Sequence, residues 1–357
     1  MNDQAAIAFP YHLEREGLLM EPDPLDPLEA EGVLNPAAGW SGNQLYLLPR
    51  LVAAGNISRI GLARVLLDGG RPVGVTRLGV VLEPRMTWES GPLNAGVEDP
   101  RVTWIPALQL HVMTYVAYGP TGPRTAIATS ADLTQWRRQG PVTYRWDEVS
   151  EVDLNLYHNK DAVFLPEPVT GPDGELSFAV MHRPMGVLNP DTSISDLPGD
   201  IPPTGEAGHQ SMWMSFVPVA AATADPSELA HWRGHRFVAG PEYAWEKLKI
   251  GGGPPPIRVP EGWLLLHHGV TGRIEPGTDQ QQHVHYAAGG MILDAERPWL
   301  IVSRSVEPLL EAETEAERSG TVPNVVFPTA IVEIDNNHFV FYGMADSTIG
   351  VARLVRS

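Results

Sequence analysis

Prolines recur along the whole of this chain, and that spacing limits its fold more than any other feature. The sequence has 34 prolines and 35 glycines in 357 residues. Together they fill 69 positions, roughly 19%, with proline near twice its usual share. An interior proline costs a helix about 3 kcal/mol, so a helix bundle or coiled coil is excluded and turn-rich β structure is expected. Hydrophobic residues make up 43% of the chain and recur in alternating segments, enough to bury a large core. The length allows one large β domain or two ordinary ones, because sandwiches, barrels and propellers run long as single units. A single domain over 1–357 is expected, with an acidic, proline-punctuated N-terminal leader over 1–33.

Short runs rich in β-branched and aromatic residues, bounded by Gly, Pro, Asn or Asp, predict strands. They cover Leu45 to Val52, Arg59 to Leu67, Leu108 to Tyr118, Arg124 to Thr129, Leu176 to His182, Met212 to Val217, Trp263 to His268, His283 to Leu293, Leu300 to Ser303 and His338 to Tyr342. One helical patch is expected, Leu309 to Arg318. A weak repeat runs through the strands: LLPR (47–50), TYVAYG (114–119), AVMHRP (179–184), LLLHHG (264–269) and FYGMAD (341–346) each turn polar at their ends. SADLTQW (130–136) and PSELAHW (226–232) form a second repeat. Units of about 70 residues suit four-stranded blades, and five of them fill the length. The expected fold is therefore all-β, a five-bladed β-propeller whose inner strands bring distant polar groups to one central pocket. A stacked sandwich is the alternative, and it leaves the repeated polar strand ends unexplained.

The formal net charge of −18 and the lack of a basic stripe argue against nucleic-acid or anionic membrane partners. Only three lysines occur, Lys160, Lys247 and Lys249, beside 22 arginines. There is no cysteine, which removes disulfides, thiolate metal sites and thiol nucleophiles. The N-terminal residues lack a signal-peptide pattern and no run of 18 apolar residues occurs, so a cytoplasmic location is expected. His283 and His285 share one strand face, a spacing more often solvated or packed than ligating; no metal site is expected.

The chemistry concentrates in a few segments. In GVEDPRVT (96–103), Glu98, Asp99 and Arg101 surround Pro100, whose ring fixes its own φ and pushes Asp99 out of the helical region. Alone this reads equally as a turn with a local ion pair. NKDA (159–162), VMHRP (180–184), WEKLKIGGGPPPI (245–257), HHGV (267–270) and GMADSTIG (343–350) add to it. Three glycines let backbone approach a ligand and three prolines stiffen the wall. Arg183, Lys249 and His268 stand where an uncompensated cation would be costly, so either acidic neighbours or an anionic ligand must neutralise them.

With these motifs, LNPAAG (34–39), SRIGLA (58–63), RSVEPLLE (304–311) and GTVPNVVF (320–327), the chain resembles glycoside hydrolase family 130, the β-mannoside phosphorylases and related β-mannosidases. The resemblance covers nearly the whole chain and implies a five-bladed propeller with an axial active site. It implies that Asp99 is the catalytic acid, protonating the glycosidic oxygen through the mannosyl 3-hydroxyl while phosphate attacks the anomeric carbon from the opposite face. The implied phosphate-binding residues are Arg59, Asn159, Arg183, Lys249 and His268. Mannosyl contacts fall on Asn35, Arg50 and Asp346, and Glu98, Arg101, Lys160 and Asp161 join the substrate-binding set. Two departures stand out: Pro49 replaces a common aromatic, and His158 occupies a position that is arginine in some phosphorylases. Met185 to Gln210 is an insertion relative to short members, read as a loop over the acceptor site or an inert excursion.

The leading expectation is inverting phosphorolysis of a β-mannoside to α-mannose 1-phosphate and a free acceptor, with inorganic phosphate as co-substrate and no cofactor. Phosphate brings its own charge and needs no general base. The alternative is an inverting β-mannoside hydrolase, which needs a second carboxylate about 6.5–9.5 Å from the acid. A non-catalytic sugar-binding propeller is a third reading, disfavoured by the intact Glu98-Asp99-Pro100-Arg101 cluster. The partners expected are small molecules, and a homo-oligomer is compatible with the sequence.

Overall fold

The computed structural model describes residues 9–149, 151–185, 210–273, 281 and 283–357. Regular structure among them is nearly all β, and the two α-helices, Val219–Ala224 and Glu315–Arg318, are six and four residues long. The main strands form five successive antiparallel units. The first comprises Gly32–Ser41, Gln44–Ala53, Ile57–Asp68 and Arg71–Leu82. Ala95–Ile105, Leu110–Gly119, Gly122–Ser130 and Arg137–Pro141 make the second. His158–Phe164, Leu176–Met185, Met212–Pro218 and His231–Ala239 make the third. The fourth comprises Lys249–Gly252, Gly262–Arg273, His283–Leu293 and Ile301–Arg304. Val326–Ile334, Asn337–Met344 and Thr348–Arg356 begin the fifth, and Tyr11–Met20 completes it by pairing with the last of these.

Part of the segment read from sequence as a leader is therefore the outer strand of the last unit. Its alternation is hidden because register shifts at Arg15/Gly17 and Leu18/Met20 interrupt the period of two. The helix expected over Leu309 to Arg318 also shrinks, to Glu315–Arg318. Leu309 and Leu310 instead donate their backbone N–H groups to Ala288 O, and Leu310 is buried. All ten predicted strands exist, yet several run further than their sequence signal, so Arg50, Arg183 and His268 lie within strands and not at their ends. The insertion read at Met185 to Gln210 lies, except for those two end residues, outside the described residues.

The core is a series of interfaces between consecutive units. Leu48, Ile60 and Leu82 of the first unit pack with Val97, Met113 and Ala126 of the second. Ile127 and Phe164 join the second to the third, Met181 and Leu265 the third to the fourth, and Leu266 and Val340 the fourth to the fifth. Phe341 and Val351 of the fifth unit then pack against Leu47 and Val65 of the first. The series thus closes on itself.

Each unit is also tied across its width by a buried acid. Glu29, Glu89, Glu246 and Glu317 lie in short helical turns just before the first strand of units one, two, four and five, each at most 2% exposed. Each meets an arginine from the outermost strand of its own unit: Glu29–Arg77 and Glu89–Arg138 at 2.8 Å, Glu246–Arg304 at 2.7 Å, Glu317–Arg15 at 2.9 Å. Their remaining lone pairs accept backbone N–H groups of the same turn, as from Arg85 and Met86 to Glu89. A second-strand group completes three of them: the hydroxyls of Tyr115 and Tyr342 donate to Glu89 and Glu317, and His267 Nε2 bonds Glu246. In the third unit Asp147 and Arg236 stand in the same relation at 3.6 Å. The tryptophan repeat seen in sequence has a parallel cause, since Trp136 and Trp232 each donate the indole N–H to a leucine carbonyl three residues earlier.

Such an acid is satisfied only when first and outermost strands are both in place. Glu89→Gln should therefore destabilise the protein by about 3–5 kcal/mol, because Arg138 loses its counter-charge inside the fold. Glu14→Gln, which breaks an exposed pair with Arg353, should leave the urea midpoint nearly unchanged. Equal midpoint shifts in the two variants would contradict this account.

Candidate active site

Three units carry the same irregularity in their first strand. Register shifts fall at Leu34/Ala37, Glu98/Arg101 and Lys160/Val163. At these bulges Asn35, Asp99 and Asp161 adopt left-handed backbone, with φ of 43°, 45° and 55°. The conformation is uncommon for a residue with a side chain and is tolerated best by Asn and Asp. Bulges re-aim side chains; here an Asn and two Asp leave the alternation of their strands and join one cluster. The Asp99 segment, open to reading as a turn from sequence, is thus a bulged strand.

Asp99 is the hub of that cluster. Its Oδ1 accepts from Asn35 Nδ2 at 2.8 Å and from Arg50 Nη1 at 3.1 Å. Arg50 also donates to Glu98 Oε1 at 3.0 Å, and Ser58 Oγ and Asn56 Oδ1 hold the rest of its guanidinium. Lys160 Nζ lies 3.5 Å from Glu98 Oε2 and over the Tyr118 ring. Arg101, 1% exposed, donates to Asp99 O, Gly252 O and Gly253 O, and its Nη2 lies 3.5 Å from Asp161 Oδ1. Burial pushes the Asp99 carboxyl up, but Arg50, Arg101, Lys160 and the Asn35 hydrogen bond outweigh it and hold the group below the usual carboxylate range. Asp346, partly accessible to solvent, goes the other way: desolvation and the charges of Asp99 and Glu98 raise it to about 6 against the pull of Arg50 and Lys160.

A second group of basic side chains gathers around Asp161. Arg183 Nε donates to Asp161 Oδ2 at 2.7 Å, and His268 Nε2 lies 3.6 Å from the same oxygen. Burial pushes Asp161 up, and Arg183, His268 and Arg101 more than reverse it. Lys249 has no carboxylate at salt-bridge distance among the described residues. Its ammonium sits 5.2 Å from the centre of the Tyr286 ring, and desolvation together with the Arg183 charge lowers it to about 7. His268 is fully buried against Tyr286 and Phe327, neither ring nitrogen has a hydrogen-bond partner among the described residues, and desolvation holds it well below its ordinary value. The two possibilities open from sequence thus divide: an acid neutralises Arg183, whereas Lys249 and His268 are left for something else.

The glycines of KIGGGPPPI are needed for close approach. A Cβ on Gly251 would lie 2.4 Å from Asp161 Oδ2 and 2.5 Å from His268 Cε1, and one on Gly253 would lie 2.8 Å from Leu266 O. Gly343 plays the same part for Asn35, whose Oδ1 would stand 2.1 Å from a Cβ there.

Asn159 is held from behind by a buried chain. Its Nδ2 meets His182 Nδ1 at 2.9 Å, His182 Nε2 meets Ser215 Oγ at 2.7 Å, Ser215 Oγ meets His235 Nδ1 at 2.8 Å, and His235 Nε2 meets Arg145 O at 3.0 Å. Only an N–H can bond that terminal carbonyl, so with both imidazoles neutral every donor in the chain points away from Asn159. Desolvation lowers both histidines, which keeps them neutral. The Asn159 amide is turned so that Nδ2 faces His182, leaving Oδ1 buried without a partner among the described residues.

The structure thus brings Asn35, Arg50, Glu98, Asp99, Arg101, Lys160 and Asp161 into one network, with Arg183, Lys249 and His268 adjoining it; Asp346 acts on it electrostatically. Asn159 stands at its edge. Arg59 has no hydrogen bond or ion pair to this network among the described residues. Its neighbour Ser58 reaches Arg50, so alternation sends Arg59 to the other face of the strand, where its charge acts on Glu83 and its Nη1 is buried without a hydrogen-bond partner among the described residues. Sequence reasoning missed Tyr286, Phe327 and Gln210, the last accepting from Arg183 Nη1. Of these Phe327 lies in a motif singled out beforehand and Gln210 ends the insertion noted there, whereas Tyr286 had no signal beyond its place in a predicted strand.

Residues 26–189 and 210–356 match the profile of glycoside hydrolase family 130, described as beta-1,4-mannooligosaccharide phosphorylase. The chain is 30% identical over 348 residues to a Beta-1,2-mannobiose phosphorylase of Thermoanaerobacter sp. (strain X514), covering 91% of this chain and 90% of the relative. A 1,2-beta-oligomannan phosphorylase of the same strain is 29% identical over 337 residues, with the same coverage. Among solved structures, Beta-1,2-Mannobiose phosphorylase from Listeria innocua is similar in fold, with a TM-score of 0.71 at 20% identity, covering 98% of this chain and 97% of that one.

Close approach at Gly251 gives a direct test of this geometry. Gly251→Ala should destabilise the protein by about 1–3 kcal/mol, the range for overpacking a filled interior. Gly74→Ala, where a Cβ would meet only Leu66 at 3.9 Å, should be nearly neutral in the same urea titration. A Gly251→Ala variant as stable as the wild type would show that Asp161 and His268 do not sit against that backbone.

Proposed function

Because the chain belongs to glycoside hydrolase family 130, we propose that it is a β-mannoside phosphorylase in which Asp99 supplies the acid and inorganic phosphate the nucleophile. The observation that carries this reading is a division of charge within one buried site. Asp99 is held by Asn35 and Arg50, while, among the described residues nearby, Lys249 has no carboxylate at salt-bridge distance and the His268 ring nitrogens have no hydrogen-bond partner. An anion beside Lys249, Arg183 and His268 supplies what they lack. A phosphate oxygen then forms a bond to the anomeric carbon as the glycosidic C–O bond breaks on the opposite face. The proton passes from Asp99 through the mannosyl 3-hydroxyl to the leaving oxygen, giving α-mannose 1-phosphate and the free acceptor.

In the empty site the cations keep Asp99 ionised. A doubly charged phosphate counteracts them and raises the proton affinity of Asp99, so nucleophile binding and acid loading go together. Asn35, Arg50, Glu98, Lys160 and Asp346 would hold the mannosyl unit. The five units read as the blades of a five-bladed β-propeller with the site on its axis. Two things support that reading: the fifth unit packs on the first, and the first strands carry the bulged site residues. Phosphorolysis retains glycosidic bond energy in a sugar phosphate, which suits a cytoplasmic enzyme.

Consumption of β-1,2- and β-1,4-mannobiose with and without phosphate tests the reaction. Turnover should require phosphate, and Asp99→Asn should lower it by about 10²- to 10⁴-fold. Free mannose formed equally fast without phosphate would establish hydrolysis instead. The lowered Lys249 also sets a pH dependence. Sulfate, which does not titrate in this range, should bind the protonated ammonium and weaken as an inhibitor above pH 7, by up to about tenfold per pH unit for one linked proton. Lys249→Met should flatten that slope, and an unaltered slope would place the linked proton elsewhere.

A further inference from the structure

The segment GGGPPPI touches two regions. Gly251, Gly252 and Gly253 lie against Asp161, His268 and Arg101, as described above, whereas Pro255, Pro256 and Ile257 line a separate cavity of about 550 Å³. All five units contribute to that cavity from positions beyond their site residues: Ala38 to Gly42, Val102 to Trp104 with Pro106, Pro166 and Glu167, Pro255 to Ile257, and Ile331 with Val332. Trp104 lies five residues beyond Asp99 on one strand, at most about 16 Å at about 3.3 Å per residue. The cavity therefore opens at the other ends of the strands that carry the acid.

Its lining has a definite chemistry. Trp104 remains 40% exposed, and Trp40 is fixed by donating its indole N–H to Glu333 O at 3.1 Å. His111 pairs opposite Trp104 in the register, with ring centroids 4.6 Å apart. It is 4% exposed, and its Nδ1 has no hydrogen-bond partner among the described residues. Burial lowers this imidazole to about 4, so it is neutral and offers a hydrogen bond without a charge. The proline walls are stiff, and Glu167, 3.7 Å from Arg258, is the acid at this cavity. Indole faces, rigid apolar walls and one unsatisfied neutral polar group suit a ligand with apolar C–H faces and hydroxyl groups. The cavity size is in the range of small-molecule sites, and a chain of net charge −18 disfavours an anion there.

We propose that this cavity is a second saccharide-binding site, taking a neutral pyranose or short oligosaccharide stacked on Trp104 and Trp40 with a hydroxyl on His111. It does not depend on the phosphorylase reading, because its ligand need not react. The GGGPPPI segment gives it a direct covalent connection to the backbone beside Asp161 and His268.

Calorimetric titration of the Asp99→Asn protein with β-1,4-mannotriose, without phosphate, tests the proposal. Two binding events per chain are expected. Adding Trp104→Ala should abolish one of them, while Trp104→Ala in the otherwise wild-type enzyme should leave initial rates unchanged. If Trp104→Ala fails to fold, His111→Leu at the cavity wall should weaken the same event at least tenfold. No binding in Asp99→Asn, or binding of which no event is weakened by Trp104→Ala or His111→Leu, would overturn the second site. Two events in a protein without phosphorolysis would uphold the cavity and reject only the reaction assigned above.

Discussion

A buried carboxylate facing an arginine across the width of each unit is the interaction on which the rest of the structure rests. An ion pair sealed from water gains little net stability but fails badly when one partner is missing. Glu29, Glu89, Glu246 and Glu317 can be satisfied only if the first strand is preceded by the correct turn and the outermost strand lies in register. The fifth unit takes its arginine, Arg15, from the N-terminal strand, so the same device draws the two ends of the chain together.

With the first strands fixed at both edges, they can carry strain where the chemistry lies. Asn35, Asp99 and Asp161 occupy left-handed backbone at equivalent bulges. Such strain persists only where its surroundings over-determine it. Here the guanidinium of Arg50 binds two acids and two polar side chains at once, and Arg101 is anchored to Gly252 and Gly253 carbonyls. The resulting electrostatics are uneven: Asp99 and Asp161 are held below the usual carboxylate range, and the Lys249 ammonium loses proton affinity. An anionic substrate is the natural counterpart to that imbalance.

Much of this was legible in the sequence because the motif residues cluster by chemistry. Glu98, Asp99, Lys160, Asp161, Arg183, Lys249 and His268 stand in short polar insertions within apolar strands, and all of them meet. Arg59 stays apart from the hydrogen-bonded network because its motif neighbour Ser58 takes the face toward Arg50 and alternation sends the arginine to the other one. Tyr11–Met20 was hidden by two bulges. The Glu–Arg pairs left no trace either, since their partners are up to 302 positions apart and each glutamate, taken alone, resembles a surface residue in a turn. The need for glycine at 251 was visible only as permissiveness; its cause, an imidazole and a carboxylate against the backbone, requires coordinates.

The central claim is a single displacement by phosphate at the anomeric carbon, opposite the acid. Phosphorus NMR during turnover of a β-mannobiose tests it most directly, with anomeric proton coupling used to assign the configuration of the first sugar phosphate formed. The account predicts α-mannose 1-phosphate, accumulating in step with the released sugar and absent in the Asp99→Asn protein. A β-configured sugar phosphate, or free mannose without any phosphate ester, would contradict it.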